Sequence, residues 1–268
     1  MLLTTMSPGF PCWFELTSTA PERSRAFFAE LFGWQMQDTD MGPMGVYTFL
    51  ANGSGTVGAL WGMPAEQRAA QIPSYWGVFF LVADCDRASA EAARLGATVV
   101  VPPMDIADYG RMAVITDPSG ATCSLWQATG DASSGPGLAM FEPHAVGWVE
   151  LATRDTGKAR DFYTALFGWQ TRETPIPLPG DHRYTHFSLG DTPFGGMLGM
   201  TAEWGEIPPH WALYFMVEDV DACVAKALSL GGSNPVSAFN APGVGRIALI
   251  AEPTGAYSYV IAPDKRGS

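Results

Sequence analysis

The feature that most constrains the fold of this 268-residue chain is an internal repeat. The segment Leu31–Gln35 (LFGWQ) recurs unchanged as Leu166–Gln170, at an offset of 135 positions. The same offset joins three further pairs: Glu15 and Glu150, Trp76 and Trp211, and Arg111 and Arg246. Chance does not hold one offset across so many separate motifs, so the chain is a tandem duplication.

The repeat divides the chain into two domains and a linker. We predict domain 1 over residues 10–129, a linker over 130–144 and domain 2 over 145–263, called copy one and copy two below. The linker is rich in Gly, Ser and Pro and lacks the alternation of a strand, as a connector should. Each copy has the size of an ordinary domain.

Each half of a copy repeats one plan, in which a strand is followed by a helix and then by further strands. Residues 12–18 alternate in character and predict a strand, and Pro21 opens a helix that Gly33 ends. Strand patterns follow at 46–50 and 56–62. The second half has a strand at 76–82, a helix at 85–95, and strands at 98–101, 112–116 and 122–127. The unit is therefore a βαβββ module, used twice in each copy.

Composition excludes several classes of partner. Hydrophobic residues make up 47% of the chain and charged residues 16%, which is typical of a folded protein. The net charge of -12 argues against a nucleic-acid partner, because an acidic surface repels phosphates. No apolar run is long enough to span a membrane, and the first residues do not resemble an export signal. Four scattered cysteines without a CxxC motif then favour a reducing cytoplasm.

The order of these motifs resembles the glyoxalase/bleomycin-resistance/dioxygenase group, the vicinal oxygen chelate (VOC) superfamily. The motifs are the LFGW segment at a helix end, the Trp76 strand, and the turns Asp117–Ala121 and Glu252–Ala256. The likeness is greatest to two-domain bacterial glyoxalase-like members. It implies an α+β fold of tandem VOC domains, each built from two βαβββ modules that form a curved eight-stranded sheet around a cavity.

The resemblance also indicates where a metal site would lie. Enzymes of the family take His, Gln or Glu ligands from three strands, and the corresponding positions here are Trp13, Gly77, Ser124, Trp148, Ala212 and Tyr259. None of these side chains can bind a divalent cation as His, Gln or Glu would. We therefore expect no metal and no other cofactor. A rebuilt site that uses Glu150 and His186 stays open as an alternative.

Glu15 and Glu150 are the candidate catalytic residues. Strand alternation places each on the face that it shares with Trp13 or Trp148, which should be the cavity face. A carboxyl group beside tryptophan in an apolar site tends towards a raised pKa and can act as a general acid or base. The alternatives are an ion pair with Arg111 or Arg246, or a solvated carboxylate at the cavity rim.

The candidate ligand-binding residues are mostly aromatic side chains on predicted strands. A pocket for a flat molecule needs such an inner face, although core packing explains any single one of them. We assign Trp34 and Trp169, at helix ends, to the core. Arg111 and Arg246 could hold an anionic group, and His186 could contact a ligand or be a polar residue on a half-exposed strand. The aromatic candidates are Trp13, Tyr47, Trp61, Trp76, Trp126, Trp148, Tyr184, Trp211 and Tyr259.

These features favour a metal-independent small-molecule-binding protein for an apolar or aromatic metabolite or drug, serving sequestration or metabolite tailoring. One alternative is a metal-independent isomerase, cyclase or lyase that uses Glu15 or Glu150, and another is a glyoxalase-type metallo-lyase with an unorthodox ligand set. Three of the four histidines lie in copy two, so we expect any specialised cavity there. We expect a monomer with paired copies, or a homodimer.

Overall fold

Each copy forms one mixed β-sheet with its helices packed on one side, so the predicted α+β class with two successive domains of the same architecture is confirmed. The structure is a computed structural model that describes residues 2–3, 6–42, 45–129, 137–176 and 182–264. In that part of the chain, no helix is long and apolar enough to cross a membrane.

Copy one contains two successive βαβββ modules. Its strands pair in the order β3-β4-β5-β2-β6-β9-β8-β7, so the first strands of the two modules, β2 and β6, lie side by side at the centre. Its helices are α1 (Pro21–Phe32), α2 (Ala65–Ala69) and α3 (Cys85–Arg94). Its strands are β2 (Pro11–Ser18), β3 (Gln35–Asp40), β4 (Val46–Ala51), β5 (Thr56–Gly62), β6 (Tyr75–Leu81), β7 (Thr98–Ile106), β8 (Gly110–Thr116) and β9 (Thr122–Ala128), preceded by the short strand β1 (Leu2–Leu3).

Copy two repeats this arrangement as the sheet β12-β13-β14-β11-β15-β18-β17-β16. Its helices are α4 (Thr156–Phe167) and α5 (Val220–Ser229), and a short 3-10 turn covers Ala202–Trp204. Its strands are β11 (Val146–Thr153), β12 (Gln170–Pro175), β13 (Arg183–Leu189), β14 (Thr192–Gly199), β15 (His210–Met216), β16 (Ser233–Ala241), β17 (Gly245–Ala251) and β18 (Tyr257–Pro263).

The helices begin and end at residues that the sequence marks for those places. Gly33 adopts φ 69° after α1, a left-handed conformation that glycine reaches without strain, and its N–H donates to the carbonyl of Ala29. Gly168 ends α4 in the same way, with φ 72°. Asp84 and Asp219 cap α3 and α5 by accepting from backbone N–H groups three residues on.

Part of the predicted linker belongs to the sheet of copy one. Residues 130–136 of that linker lie outside the described residues. Leu138–Ala139 forms β10, which pairs with β1 and, in parallel, with Thr56 at the start of β5. Leu138, Ala139 and Met140 are buried. The second half of this segment is therefore a packed strand and not only a connector.

The two copies share one hydrophobic core on their helix sides. Phe80 of copy one contacts Trp169 and Trp211 of copy two, with ring centroids 5.2 Å and 5.1 Å apart. Its repeat equivalent Phe215 contacts Trp34 and Trp76 of copy one at 5.4 Å and 5.3 Å. Each LFGW motif thus helps to build an aromatic cage for a phenylalanine of the other copy, and the core assignment of Trp34 and Trp169 is confirmed.

The long helices α1, α3, α4 and α5 pack on one side of their sheets, and we call the opposite side of each sheet the open face. Each open face holds one smaller apolar cluster beside the shared core. In copy one the cluster is centred on Cys12, Phe79 and Leu81, with Trp13, Met112 and Trp126 packed on it. In copy two it is centred on Tyr214, Ile247 and Ile261, with Trp148 and Tyr259 among its neighbours.

Candidate ligand-binding site

A chain of three side chains holds Glu15 on the open face of copy one. The Nε1–H of Trp13 donates to the Tyr47 hydroxyl over 2.8 Å, and this hydroxyl donates to Glu15 Oε2 over 2.8 Å. Alternation along β2 places Trp13 and Glu15 on the same face, and the hydrogen bonds of Tyr47 in β4 place its side chain there too. Tyr47 is the only residue in the described part of the chain that donates to Glu15. This series of hydrogen bonds fixes Glu15 Oε2, and Glu15 Oε1 receives no donor from the described residues.

Burial raises the pKa of Glu15 from 4.5 to about 7, although the hydrogen bond from Tyr47 acts in the opposite direction. Near neutral pH the carboxyl group is thus present in both its acidic and its basic form. A group with this property can donate or accept a proton, which is the requirement for general acid–base chemistry. Glu15 is half-buried, so solvent or a ligand can reach it.

Copy two has the same series of hydrogen bonds, and a second tyrosine also donates to its glutamate. Trp148 donates to the Tyr184 hydroxyl over 2.7 Å, and Tyr184 donates to Glu150 Oε2 over 2.8 Å. Tyr214 donates to the other oxygen, Glu150 Oε1, over 2.8 Å. Glu150 is 5% exposed, whereas Glu15 is half-buried. Burial also raises the pKa of Glu150, against the effect of both tyrosines, but its two oxygens are already engaged.

The Tyr184 side chain lies directly against Gly196, whereas Tyr47 makes the same hydrogen bond to Glu15 beside Ala59 in copy one. In the sheet, Glu150 pairs with Gly196, and Gly196 pairs with His186 on the next strand. A Cβ atom at Gly196 would lie 2.6 Å from the Tyr184 hydroxyl and 2.7 Å from the carbonyl oxygen of Thr185. The tyrosine ring therefore occupies the space that a side chain at position 196 would need.

The second tyrosine of copy two has no counterpart in copy one. Tyr214 corresponds to Phe79, and Tyr259, whose ring stacks on Tyr214 at 4.4 Å and 14°, corresponds to Ser124. Both pairs occupy equivalent register positions, since Trp13 pairs with Phe79 and Phe79 with Ser124. The two open faces thus differ at the side chain beside the second carboxyl oxygen. Tyr214 donates to Glu150 Oε1, whereas Phe79 has no hydroxyl group to donate to Glu15 Oε1.

Arg111 and Arg246 do not pair with the two glutamates, so the ion-pair alternative for Glu15 and Glu150 is wrong. Arg111 pairs with Asp86 at 2.7 Å and with Asp105 at 2.8 Å. Arg246 pairs with Asp221 at 2.6 Å and hydrogen bonds to Asn240. Both arginines point towards the first turn of the helix on the other side of the sheet. They are therefore removed from the candidate ligand-binding residues.

Trp76 and Trp211 also lie away from the open face, in the core between the copies, and the expectation that they line a ligand pocket is corrected. Trp76 pairs with Leu16 in the sheet and shares its core-facing side. Trp211 donates to Tyr163, which in turn donates to the buried Asp117 over 2.8 Å.

The repeat equivalent of Tyr163 is Phe28, which has no hydroxyl group to offer. Trp76 Nε1 accordingly has no partner among the described residues. The same tryptophan position is thus satisfied in copy two and left without a hydrogen bond in copy one.

His186 lies on the open face of copy two but is not joined to Glu150. Its ring contacts Trp148 and Tyr184, and its Nε2 lies 2.9 Å from Thr174 Oγ1. Desolvation lowers its pKa, with a smaller effect of the nearby Arg172. The strand that carries Gly196 separates it from Glu150.

The donor chemistry of the family's ligand positions does not fit a metal. In the described part of the chain, no three His, Cys, Asp or Glu residues are grouped so that they could hold an ion. The side chains at the corresponding positions of copy one, Trp13, Gly77 and Ser124, offer at most one weak hydroxyl ligand. Those of copy two, Trp148, Ala212 and Tyr259, offer no better set.

Trp61 lies beside Tyr47 in the sheet and is half-buried. It also borders a cleft of about 610 Å³ beside α1, with Arg25 and Arg68 among its lining residues. Arg25 is already engaged there by Asp38 and Thr48. Trp126 packs on the apolar cluster of copy one.

Sequence reasoning missed two positions that shape the two sites, Phe79 and Tyr214. The signal was available in the repeat, because the offset of 135 aligns Phe79 with Tyr214 and Ser124 with Tyr259. Only the structure shows that the tyrosine hydroxyl at this position reaches the glutamate.

Comparison with known proteins confirms the resemblance. The sequence profile of the Glyoxalase/Bleomycin resistance protein/Dioxygenase superfamily matches residues 13–125 and again residues 145–257. "Anthracycline biosynthesis protein DnrV" of Streptomyces peucetius is 35% identical over 270 residues, which cover 95% of this chain and 93% of that protein.

Two solved structures share the fold at low identity. The 2,3-dioxygenase LapB from Pseudomonas sp. KL28 superposes with a TM-score of 0.65 at 13% identity, covering 96% of this chain and 93% of that one. The Mn(II)-bound glyoxalase from Novosphingobium aromaticivorans gives a TM-score of 0.62 at 12% identity, covering 97% and 86%. At these identities the likeness concerns the fold.

Proposed function

Since the chain belongs to the Glyoxalase/Bleomycin resistance protein/Dioxygenase superfamily, we propose that it binds a planar aromatic or otherwise apolar small molecule without a metal. The binding site is the open face of copy one, around Glu15. A cytoplasmic location and a monomer with paired copies are parts of the same proposal.

The observation that supports this site most is the unpartnered oxygen of Glu15 within an aromatic surface. Trp13, Phe49 and Tyr47 surround the carboxyl group, with ring centroids of neighbouring pairs 5.4 Å to 5.9 Å apart. Ligand pockets typically combine such an apolar surface with one or two polar groups that fix orientation. Glu15 is the group that would do so here.

The difference between Glu15 and Glu150 favours copy one over copy two as the ligand-binding site. From the number of histidines in copy two we had expected the site there. In copy two Tyr214 occupies the second oxygen of Glu150, and Glu150 is almost fully buried. A ligand would have to displace that hydrogen bond before it could reach the carboxyl group. No such step stands between a ligand and Glu15.

The relative from Streptomyces peucetius, which aligns over nearly the whole of both chains, is named for anthracycline biosynthesis. A fused aromatic ring system of that kind would match the aromatic surface of copy one. Flat rings gain both from buried apolar area and from stacked or edge-on contacts with aromatic side chains. An anthracycline is therefore the first probe to try.

Titration of the purified protein with an anthracycline, followed by tryptophan fluorescence, tests the proposal. We expect saturable binding that Trp126→Ala weakens by about tenfold or more, because this side chain lies in the apolar cluster of copy one. Tyr257→Ala, which removes an exposed aromatic ring from copy two, is the control and should bind as the parent does. Absence of saturable binding, or a loss confined to Tyr257→Ala, would contradict the proposal.

A second candidate function is a metal-independent isomerase, cyclase or lyase that uses Glu15 as acid and base. The pKa of about 7 favours it, because a proton can leave or join the carboxyl group near neutral pH. Incubation of the bound compound with the protein, followed by mass spectrometry and chromatography, distinguishes the two. An enzyme would convert the compound and lose turnover, with binding kept, in Glu15→Gln; a binding protein would return it unchanged.

A further inference from the structure

We infer that the aromatic ligand of copy one carries a hydroxyl group that donates to the second oxygen of Glu15, as the Tyr214 hydroxyl donates to Glu150 in copy two. This inference rests on the proposed function, since it names the class of molecule that the site of copy one would bind. It follows from comparing the two copies of the repeat.

The first step is the equivalence of the two glutamate environments. Each glutamate accepts from a tyrosine, and each tyrosine accepts from a tryptophan, with distances that agree within 0.1 Å. The backbone register around them is also the same, because Trp13 pairs with Phe79 as Trp148 pairs with Tyr214. A group found beside Glu150 therefore marks a position that also exists beside Glu15.

The second step concerns what copy one lacks at that position. Phe79 has the ring of Tyr214 without the hydroxyl group, so nothing in the described part of the chain replaces the bond from Tyr214 to Glu150 Oε1. A carboxyl oxygen in apolar surroundings is stabilised strongly by a hydrogen-bond donor, and a ligand can supply it. Copy one therefore lacks only the hydroxyl donor, because Phe79 already supplies the ring, and an aromatic ligand with a hydroxyl group can supply that donor.

The third step is the space beside Glu15. Gly77 pairs with Glu15 in the sheet and offers no side chain. A Cβ atom built on Gly77 would be in ordinary contact with the carbonyl oxygen of Glu15 at 3.8 Å and with the edge of the Phe79 ring at 3.9 Å. An atom placed above Gly77 therefore meets no clash and adjoins both the Glu15 strand and an aromatic ring edge.

The fourth step is charge. On the described strands β2, β5, β6 and β9, Glu15 is the only charged side chain that alternation places on the open face. An anionic ligand would meet an acidic group and find no cation there. A neutral hydroxyl donor is compatible with Glu15 in either protonation state, because the protonated carboxyl group keeps acceptor capacity.

A pair of probes that differ only in the donor tests the inference: 2-naphthol and its methyl ether, 2-methoxynaphthalene. We expect the parent protein to bind the naphthol about tenfold more tightly than the ether, as one hydrogen bond to a charged group allows. Glu15→Gln should reduce this preference. Phe79→Tyr should abolish it, because the new hydroxyl group occupies the free oxygen. Tyr257→Phe, which removes an exposed hydroxyl group from copy two, should leave it unchanged.

The outcomes separate the inference from the proposed function. Equal binding of the two probes, unaltered by Phe79→Tyr, would overturn the inference and leave an apolar binding site in place. Binding of neither probe nor an anthracycline would overturn both. A measurement without ligand provides a second test: infrared or NMR titration of Glu15 in Phe79→Tyr should show its pKa lowered, because a second donor stabilises the carboxylate. An unchanged pKa in that variant, folded as judged by cooperative unfolding, would contradict the geometry.

Discussion

Glu15 is held in a state that favours interaction with another molecule at the expense of stability. Its side chain is half-buried among aromatic rings and receives one hydrogen bond, whereas Glu150 receives two. Burial with few donors disfavours the carboxylate, which is why the pKa of Glu15 is raised to about 7. Between pH 4.5 and 7 the folded protein therefore keeps a proton that the unfolded chain releases, and stability falls as the pH rises through this window.

Glu15→Gln should remove that dependence. We expect the free energy of unfolding of the variant to exceed that of the parent by about 1 to 3 kcal/mol at pH 8, and to match it near pH 4. Denaturant unfolding at several pH values measures the difference. Glu66→Gln, which changes an exposed carboxylate on α2, is the control and should follow the parent at every pH. Parallel stability curves for Glu15→Gln and the parent would contradict the burial of this group.

At the residue scale the sequence identified the glutamates but misplaced some of their neighbours. Alternation along β2 correctly put Trp13 and Glu15 on one face. The strand β6 (YWGVFFL) is apolar on both faces, so its pattern could not show that Trp76 faces the core and Phe79 the open side. Arg111 was misjudged because its partner Asp86 lies in a helix 25 positions earlier, a distance that no local pattern reports.

At the scale of elements, the parallel pairing of the first and last strands of a module depends on one glycine in each copy. A Cβ atom at Gly195 in β14 would lie 2.5 Å from the carbonyl oxygen of Val149 in β11. Gly58 in β5, which lies beside Phe14 as Gly195 lies beside Val149, approaches the carbonyl oxygen of Phe14 in β2 in the same way. Because the neighbour is backbone, it cannot move aside as a flexible side chain could.

Gly195→Ala should therefore destabilise the protein by about 1 to 3 kcal/mol, as overpacking against backbone does. Gly53→Ala is the control, because a Cβ atom there meets nothing within 4 Å; we expect a change of less than about 1 kcal/mol. Chemical denaturation of the two variants measures the difference. Equal stability of the two variants would contradict the close backbone contact between β11 and β14 at Gly195.

Most predicted boundaries agree with the structure within two residues, but β3 and β10 were not predicted and the strand over 98–101 continues to Ile106 in β7. The helix over 85–95 and the strand over 56–62 agree with α3 and β5 within a residue, since a cap, a glycine and a change of period mark them. The strand β10 was missed because two residues carry no periodicity. Its partner, Thr56, lies 82 positions away and is brought to it only by the fold.

At the scale of the whole molecule, Phe80 and Phe215 join the two copies into one core, because each ring packs against the other copy. Each ring is fully buried in a cage that includes the LFGW motif of the other copy. The repeat itself was evident from the sequence, but the pairing was not, because nothing in a local pattern states which apolar face meets which. We therefore expect the two copies to unfold together, because each depends on the other for part of its core.

Phe80→Ala should lower the free energy of unfolding by about 3 to 5 kcal/mol, as the loss of a buried phenylalanine does. Phe215→Ala should have a similar effect, and in both variants the two copies should still unfold in a single transition. Phe239→Ala, which removes a ring that is 44% exposed, is the control with an expected change of about 0.5 kcal/mol or less. A loss as small in Phe80→Ala as in the control would contradict the shared core.

The position of the bound ligand tests the central claim most directly. A crystal structure of the protein with 2-naphthol should show the probe on the open face of copy one, above Gly77. We expect its hydroxyl oxygen within hydrogen-bond distance of Glu15 Oε1, about 2.5 to 3.0 Å, and no probe beside Glu150. A probe that displaces Tyr214 from Glu150, or that occupies the cleft beside α1 and leaves Glu15 free, would contradict the claim.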